Sequence, residues 1–204
     1  MSDGYLLRVK LHPVFMEKRS LFKRGGSFNI FHIMMAGMEK SELNEFGLSE
    51  HSVQNLSWIK QTHLHCEQTK TRFCAWKKSL GQLGIPLPDI MRVLAAVVLM
   101  GNMWYERQAD HCVGTVARLL GVEQDCLLDG LWKKTHRVNG TSFERNLDEK
   151  EWEMARAGLA CSLYMRTVYI MIRRVNTHPP LLCSGKTVLP SSFIGILDMD
   201  MFGW

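Results

Sequence analysis

One segment that is apolar on every side constrains the fold most. Ile90 to Met100 contains a single charged residue, Arg92, and no other polar side chain. A helix of this composition is stable only when other elements cover all of its faces. We predict Asp89 as its N-cap. The segment is far shorter than the roughly 20 residues that cross a bilayer, so we expect a buried helix rather than a membrane span.

Other parts of the chain have the 3–4 residue apolar spacing of helices that could cover this segment. Six elements are predicted besides the buried helix, and the longest of them has about 28 residues. They are Phe28–Ala36, Glu50–Ile59, Thr69–Leu83, Ala109–Leu120, Glu123–Trp132 and the long helix Asp148–Asn176. The tryptophans on these elements are predicted to pack in the core, namely Trp58, Trp76, Trp104, Trp132 and Trp152.

Two segments do not follow the helical pattern. Lys133 to Asn146 is predicted to be a polar loop with a turn at Asn139-Gly140. Phe193 to Leu197 is a short apolar run between turn-forming residues and is predicted to be a buried strand. The predicted fold class is therefore mostly α with a terminal strand. A lone strand leaves backbone groups unpaired at both edges, so we expect the rest of its sheet to come from elsewhere.

Charge and cysteine content exclude some classes of function. The 204 residues carry 25 Lys and Arg against 20 Asp and Glu, and this net charge of +5 is too small and too evenly spread to indicate nucleic acid as the partner. The six cysteines form no paired framework, and the N-terminus does not resemble a signal peptide. We therefore expect a cytoplasmic protein whose thiols stay reduced.

Candidate chemical sites are weak when judged from the residues alone. Ser184 to Thr187 ends like a phosphate-binding loop, but Pro180 occupies the position of its first glycine. His63, His65 and Cys66, with Cys74, could bind zinc, but no CxxC pair accompanies them, and no metal site is predicted. No catalytic triad or paired carboxylates are present, so these residues indicate no enzyme site.

A small basic patch offers a different kind of site. Lys133, Lys134 and Arg137, with His136 between them, lie within the predicted polar loop. Such a run is either an ordinary solvated surface or a docking site for an acidic partner. The residues alone leave both interpretations open.

Four segments in order resemble the middle of a myosin motor domain. The last of them, Phe193–Asp198, has the sequence FIGILD, which in myosins is a central strand of a sheet whose other strands lie elsewhere in the head. The resemblance therefore accounts for the lone strand. The matching segments are Tyr5–Leu7 with Gly25–Gly37, Leu83–Met103, Ala117–Val122, and Ala155–Arg166 continuing to Asp198.

The resemblance implies a P-loop NTPase-type α/β head that couples hydrolysis of ATP with Mg to the binding of actin filaments. It places the chain mainly in the upper subdomain of the actin-binding cleft. Trp132 to Glu149 would correspond to a loop that contacts actin, so the resemblance implies that Lys133, Lys134 and Arg137 contact the filament.

The resemblance also implies a nucleotide-sensing segment, the second switch, at Asp200, Phe202 and Gly203. The family's phosphate loop and first switch precede the matched segments. We therefore expect residues 1–204 to be an incomplete motor domain that ends inside the second switch and lacks ATPase activity by itself. The implied partners are actin filaments, the rest of the heavy chain, and light chains or calmodulin bound to downstream segments. Nucleic acid and a membrane span are not expected.

Some residues depart from the family pattern. Cys161 and Ala157 replace a lysine and an aspartate of the family's motif, and an insertion precedes Asp200. These departures resemble those of divergent unconventional myosins, such as the dachs-like kind. Two alternatives to an active motor stay open: a non-catalytic actin-binding scaffold that has kept the motor fold, and a free-standing helical interaction module.

Overall fold

The computed structural model describes residues 9–12, 29–49, 66–105 and 111–177. This part of the chain is mostly helical, as predicted, with a single pair of strands. The predicted helix at Glu50–Ile59 and the predicted strand at Phe193–Leu197 lie outside it. The elements are α1 (Asn29–Gly37), α2 (Lys40–Glu45), α3 (Cys66–Gln82), α4 (Leu87–Gly101), α5 (His111–Leu120), α6 (Gln124–Trp132), β1 (Lys133–Val138), β2 (Thr141–Asn146) and α7 (Glu149–Thr177).

Helix α4 lies at the centre of the core. Its buried side chains are Ile90, Met91 and every residue from Leu94 to Met100, and α3, α5 and α7 pack against it. The prediction of a buried helix is confirmed. The prediction that Asp89 is the N-cap is wrong: the helix begins at Leu87, and the Asp89 carboxylate accepts a hydrogen bond from Arg92 within the first turn.

Helix α7 holds the C-terminal ends of two other helices through its arginines. Arg156 Nη1 donates hydrogen bonds to the carbonyl oxygens of Met100, Gly101 and Met103, at 2.9, 3.2 and 3.1 Å. Arg174 Nε donates to the carbonyl oxygen of Leu83, just after α3, at 2.9 Å. The last carbonyls of a helix lack partners within it and carry partial negative charge, so a guanidinium stabilises them.

The C-terminal end of α7 also holds an N-terminal segment of the chain. Leu11 donates its backbone N–H to Asn176 Oδ1 at 2.7 Å. In return, Asn176 Nδ2 donates to the carbonyl oxygen of Leu11 at 2.8 Å. The side-chain amide pairs with both backbone groups of Leu11 as a neighbouring strand would.

Close approach of α1 to α3 depends on Gly37. A Cβ atom at this position would lie 2.4 Å from Cβ and Cγ of Phe73, and the Phe73 side chain is only 2% exposed. A larger residue would therefore overlap a ring that has no room to move. Phe31 of α1 contacts Tyr164 of α7, with ring centroids 5.7 Å apart, so α1 is held between α3 and α7.

We predict that Gly37→Ala destabilises the protein by about 1–3 kcal/mol, the usual effect of overpacking a filled core. Urea denaturation followed by circular dichroism measures the change. Gly158→Ala in α7 is the matched control, because a Cβ there would meet nothing within 4 Å. It should raise stability by about 0.5–1 kcal/mol, since glycine is unfavourable inside a helix. Equal effects of the two substitutions would contradict the close contact.

Candidate functional site

The basic patch lies on a β-hairpin. Strands β1 and β2 are antiparallel and are joined at Asn139-Gly140, where both residues have positive φ, of 49° and 83°. This is the geometry of a type I′ turn. The predicted turn is confirmed, but the prediction of a loop over Lys133–Asn146 is wrong. Alternating apolar and polar residues are the usual signal of a strand, and each of these strands contains a single apolar residue, Val138 in β1 and Phe143 in β2.

The register of the hairpin divides its side chains between two faces. Lys134 pairs with Arg145, and His136 pairs with Phe143. Side chains alternate along a strand, and directly paired residues share a face. The Phe143 face therefore consists of Lys134, His136, Thr141, Phe143 and Arg145. The Lys133 face consists of Lys133, Thr135, Arg137, Ser142, Glu144 and Asn146.

The three residues implied to contact actin are thus not on one surface. Lys133 and Arg137 lie on the Lys133 face, whereas Lys134 lies on the Phe143 face. All three are exposed. Lys133 Nζ is 2.6 Å from Asp129 Oδ1 in the last turns of α6, and this carboxylate raises the pKa of Lys133. Arg137 Nε donates to Ser142 Oγ across the strands at 3.5 Å.

A cluster of aromatic side chains holds the root of the hairpin, which is the end where Trp132 precedes β1 and Leu147 follows β2. The Trp152 ring lies 5.4 Å from that of Trp132 and 5.8 Å from that of Tyr105, measured between centroids. Trp132 Nε1 donates to the carbonyl oxygen of Tyr105 at 3.1 Å, and Tyr105 Oη donates to that of Leu147 at 2.8 Å. The Arg156 guanidinium lies over the Trp152 ring, 4.9 Å from its centroid. The hairpin root is therefore fixed to α7 and to the segment after α4.

The prediction that the tryptophans pack in the core holds for Trp132 and Trp152, which are both buried. Trp76 is half-buried and packs against the core. Trp104 is 67% exposed, so the prediction that it packs in the core is wrong. Trp104 follows the end of α4, where the chain turns toward the hairpin root, and no longer belongs to the helix whose pattern suggested burial. Trp58 lies outside the described residues.

An ion pair joins the hairpin to the first turn of α7. Arg145 Nη1 and Nη2 donate to Glu151 Oε2 and Oε1, at 2.7 and 2.5 Å. Such two-point guanidinium–carboxylate pairs fix orientation as well as distance. Glu151 also accepts from the backbone N–H of Asp148, whose carboxylate accepts from that of Glu151. This capping box begins α7.

Sequence reasoning missed both residues of this ion pair. The Asp148–Glu151 spacing before a helical pattern was a signal for the capping box. Nothing in the sequence indicated that Arg145 would reach it, because that contact follows from the register of the hairpin. The Arg145 guanidinium, helped by the Asp148 backbone N–H, lowers the pKa of Glu151 to about 2.

The nucleotide-sensing residues implied by resemblance, Asp200, Phe202 and Gly203, lie outside the described residues and stay a prediction.

Within the described ranges, no group of three His, Cys, Asp or Glu side chains could hold a metal ion. Cys66 and Cys74 both lie in α3, where eight residues correspond to about 12 Å, too far for one zinc ion. None of the helices described is long and apolar enough to cross a membrane.

We predict that Glu151→Gln destabilises the protein near neutral pH and that the difference disappears in acid. The folded-state pKa of Glu151, about 2, is below its ordinary value of 4.5. The ionised carboxylate therefore stabilises the fold above pH 4.5, and this contribution is lost as pH falls from 4.5 to 2. Urea denaturation of the unchanged protein and of Glu151→Gln at several pH values measures the gap, which is the difference between their free energies of unfolding. Glu149→Gln, in the same first turn, is the control and should show a smaller gap. A gap independent of pH would refute the role of Arg145.

Comparison with known proteins identifies the family. The sequence model of the family described as "Myosin head (motor domain)" matches residues 15–204, which is most of the chain.

Individual relatives agree with this match. Human unconventional myosin-Ih is 26% identical over 216 residues, covering 91% of this chain and 20% of the relative. Myosin-3 of Arabidopsis thaliana is 27% identical and covers 86% of this chain and 16% of the relative. Chitin synthase 8 of Mycosarcoma maydis is 26% identical and covers 98% of this chain and 10% of the relative. The chain spans about a fifth or less of the length of these relatives. It belongs to the myosin head (motor domain) family.

Proposed function

We propose that this chain supplies a filament-binding hairpin to an actin-based motor. The observation that carries the proposal is an exposed, positively charged hairpin on a rigidly held root, in a chain of the myosin head family. Four of its side chains are Lys or Arg and one is Glu. In the family resemblance this same segment corresponds to a loop that contacts actin.

The electrostatics of the hairpin suit an acidic partner. A cluster of exposed cations raises the rate of encounter with an oppositely charged surface and contributes specificity. Because the charges are exposed, salt screens them beyond about 8 Å at physiological ionic strength. Binding that depends on this hairpin is therefore expected to weaken as salt concentration rises.

The buried root supports the same function. Residues at an interface contribute most when little flexibility has to be lost on binding. The Trp132 indole and the Arg145–Glu151 ion pair hold the two strands of the hairpin against α7. A hairpin held in this way meets a partner in one orientation, whereas a free loop would have to be ordered first.

At the level of the whole motor we propose ATP with Mg as the nucleotide and coupling of its hydrolysis to filament binding. Asp200, Phe202 and Gly203 are the proposed second switch, with the backbone amide of Gly203 facing the γ-phosphate. Glycine suits such a position because it allows close approach of the backbone. The proposed partners are actin filaments and the remainder of the heavy chain, in a protein associated with the actin cytoskeleton.

We predict that reversing three charges, Lys133→Glu, Lys134→Glu and Arg137→Glu together, weakens binding of the full-length protein to actin filaments about tenfold or more. The salt dependence of the remaining binding should also become flatter. Cosedimentation with filaments at increasing salt measures both. The control reverses the same number of charges on α3, at Lys70, Arg72 and Lys78, which are exposed there. Unchanged affinity of the hairpin variant for actin filaments would contradict the proposal.

We also predict that the 204 residues by themselves neither bind ATP saturably nor hydrolyse it. The G-x-x-x-x-G-K-[ST] pattern is not complete in them, because Pro180 replaces its first glycine. Titration with a fluorescent ATP analogue in the presence of Mg measures binding. The full-length protein is the positive control for the same assay. Saturable, Mg-dependent binding to the 204 residues would overturn this expectation.

A further inference from the structure

The Phe143 face combines an exposed aromatic ring with cationic side chains. Phe143 is 57% exposed although it is a large apolar residue. It pairs directly with His136, and Arg145 Nε donates to His136 Nε2 at 3.4 Å. Lys134 pairs with Arg145 at the next position of the same face. The single carboxylate of the hairpin, that of Glu144, is on the other face.

We infer that the Phe143 face, rather than the Lys133 face, makes the principal contact with the partner. The inference rests on the proposed function and specifies which surface of the hairpin carries it. Aromatic residues and arginine are enriched at the centres of protein interfaces, and a few such residues provide most of the binding energy. Among the described side chains of the hairpin, Phe143 is the large apolar one that is exposed, and Lys134 and Arg145 lie on its face.

The Lys133 face is less suited to bind an acidic surface because it carries a carboxylate of its own, that of Glu144, and because one of its two cations is already paired with another carboxylate. Lys133 is paired with Asp129 of α6. Glu144 lies opposite Thr135, between Lys133 and Arg137 on the same face, and adds to the negative potential at Lys133. An incoming carboxylate would have to compete with Asp129 and would be repelled by Glu144.

The Arg145–Glu151 pair has a positioning role on the Phe143 face. Glu151 binds both terminal nitrogens of Arg145 and fixes that strand to α7. Arg145 is therefore held in place and its charge is paired, as that of Lys133 is on the other face. Lys134 is exposed on the same face as Phe143. The partner that fits is a protein surface with carboxylates around an apolar depression that accepts the phenyl ring.

The test compares single substitutions on the two faces in the full-length protein, by cosedimentation with actin filaments. Phe143→Ala should weaken binding about tenfold, and Phe143→Leu should restore part of the loss because it keeps apolar volume. Lys134→Gln should weaken binding several-fold. Arg137→Gln removes the same charge from the Lys133 face and should change affinity less than twofold. Thr135→Ala, also on the Lys133 face, is the control for strand stability.

The outcomes separate this inference from the proposed function. If Phe143→Ala has no effect and Arg137→Gln weakens binding as much as Lys134→Gln, the assignment of the face is wrong. The proposed function still stands in that case, provided that the triple charge reversal weakens binding. Vesicles containing phosphatidylserine form a second arm, since a basic and aromatic surface also suits an anionic membrane. Loss of vesicle binding with unchanged filament binding in Phe143→Ala would overturn the inference.

Discussion

The burial of α4 on all sides is the constraint on which the rest of the structure depends. A helix with apolar residues around its whole circumference requires neighbours on every face, and α3, α5 and α7 provide them. Its C-terminal carbonyls then lie beneath α7 and have to be satisfied there. Arg156 does this, and its hydrogen bonds fix the position of α7 along the axis of α4. Because α7 begins directly after the hairpin, the core also sets where the hairpin emerges.

The register of the hairpin is not fixed by burial in the core. In most strands one buried face fixes the register, because a slip of one residue would expose it. Here every described side chain of β1 and β2 is exposed. The register is fixed instead at the two ends, by the Asn139-Gly140 turn and by the hydrogen bond from the Leu147 N–H to the Trp132 carbonyl oxygen. Apart from Arg145, which pairs with Glu151 of α7, the side chains of the strands are not needed to cover a core, so they can serve recognition.

Elements with strong periodicity could be predicted from the sequence, and elements that depend on tertiary contacts could not. Helix α7 was predicted at Asp148–Asn176 and is found at Glu149–Thr177. Helix α2, at Lys40–Glu45, was not predicted, because six mostly polar residues give no periodic signal. A capping box between Glu39 and Glu42 supports its start.

The candidate site was predicted in part. The basic residues of the hairpin are visible in the sequence, but their division between two faces follows from the pairing of Lys134 with Arg145 and of Lys133 with Asn146. Because these strands lack alternating apolar residues, the sequence does not indicate which residues of β1 pair with which residues of β2. The Arg145–Glu151 contact likewise depends on how the hairpin meets α7. The aromatic root was expected only as general core packing of Trp132 and Trp152.

The arginine contact with α4 divides α7 into arms of unequal length. Arg156 lies about 7.5 Å along the axis from Glu151 and about 30 Å from Asn176, at 1.5 Å per residue. Both arms end in a contact with another part of the chain, with Arg145 of the hairpin at one end and with Leu11 at the other. A shift of α7 along its own axis would therefore move the hairpin and the Leu11 segment by the same distance in the same direction.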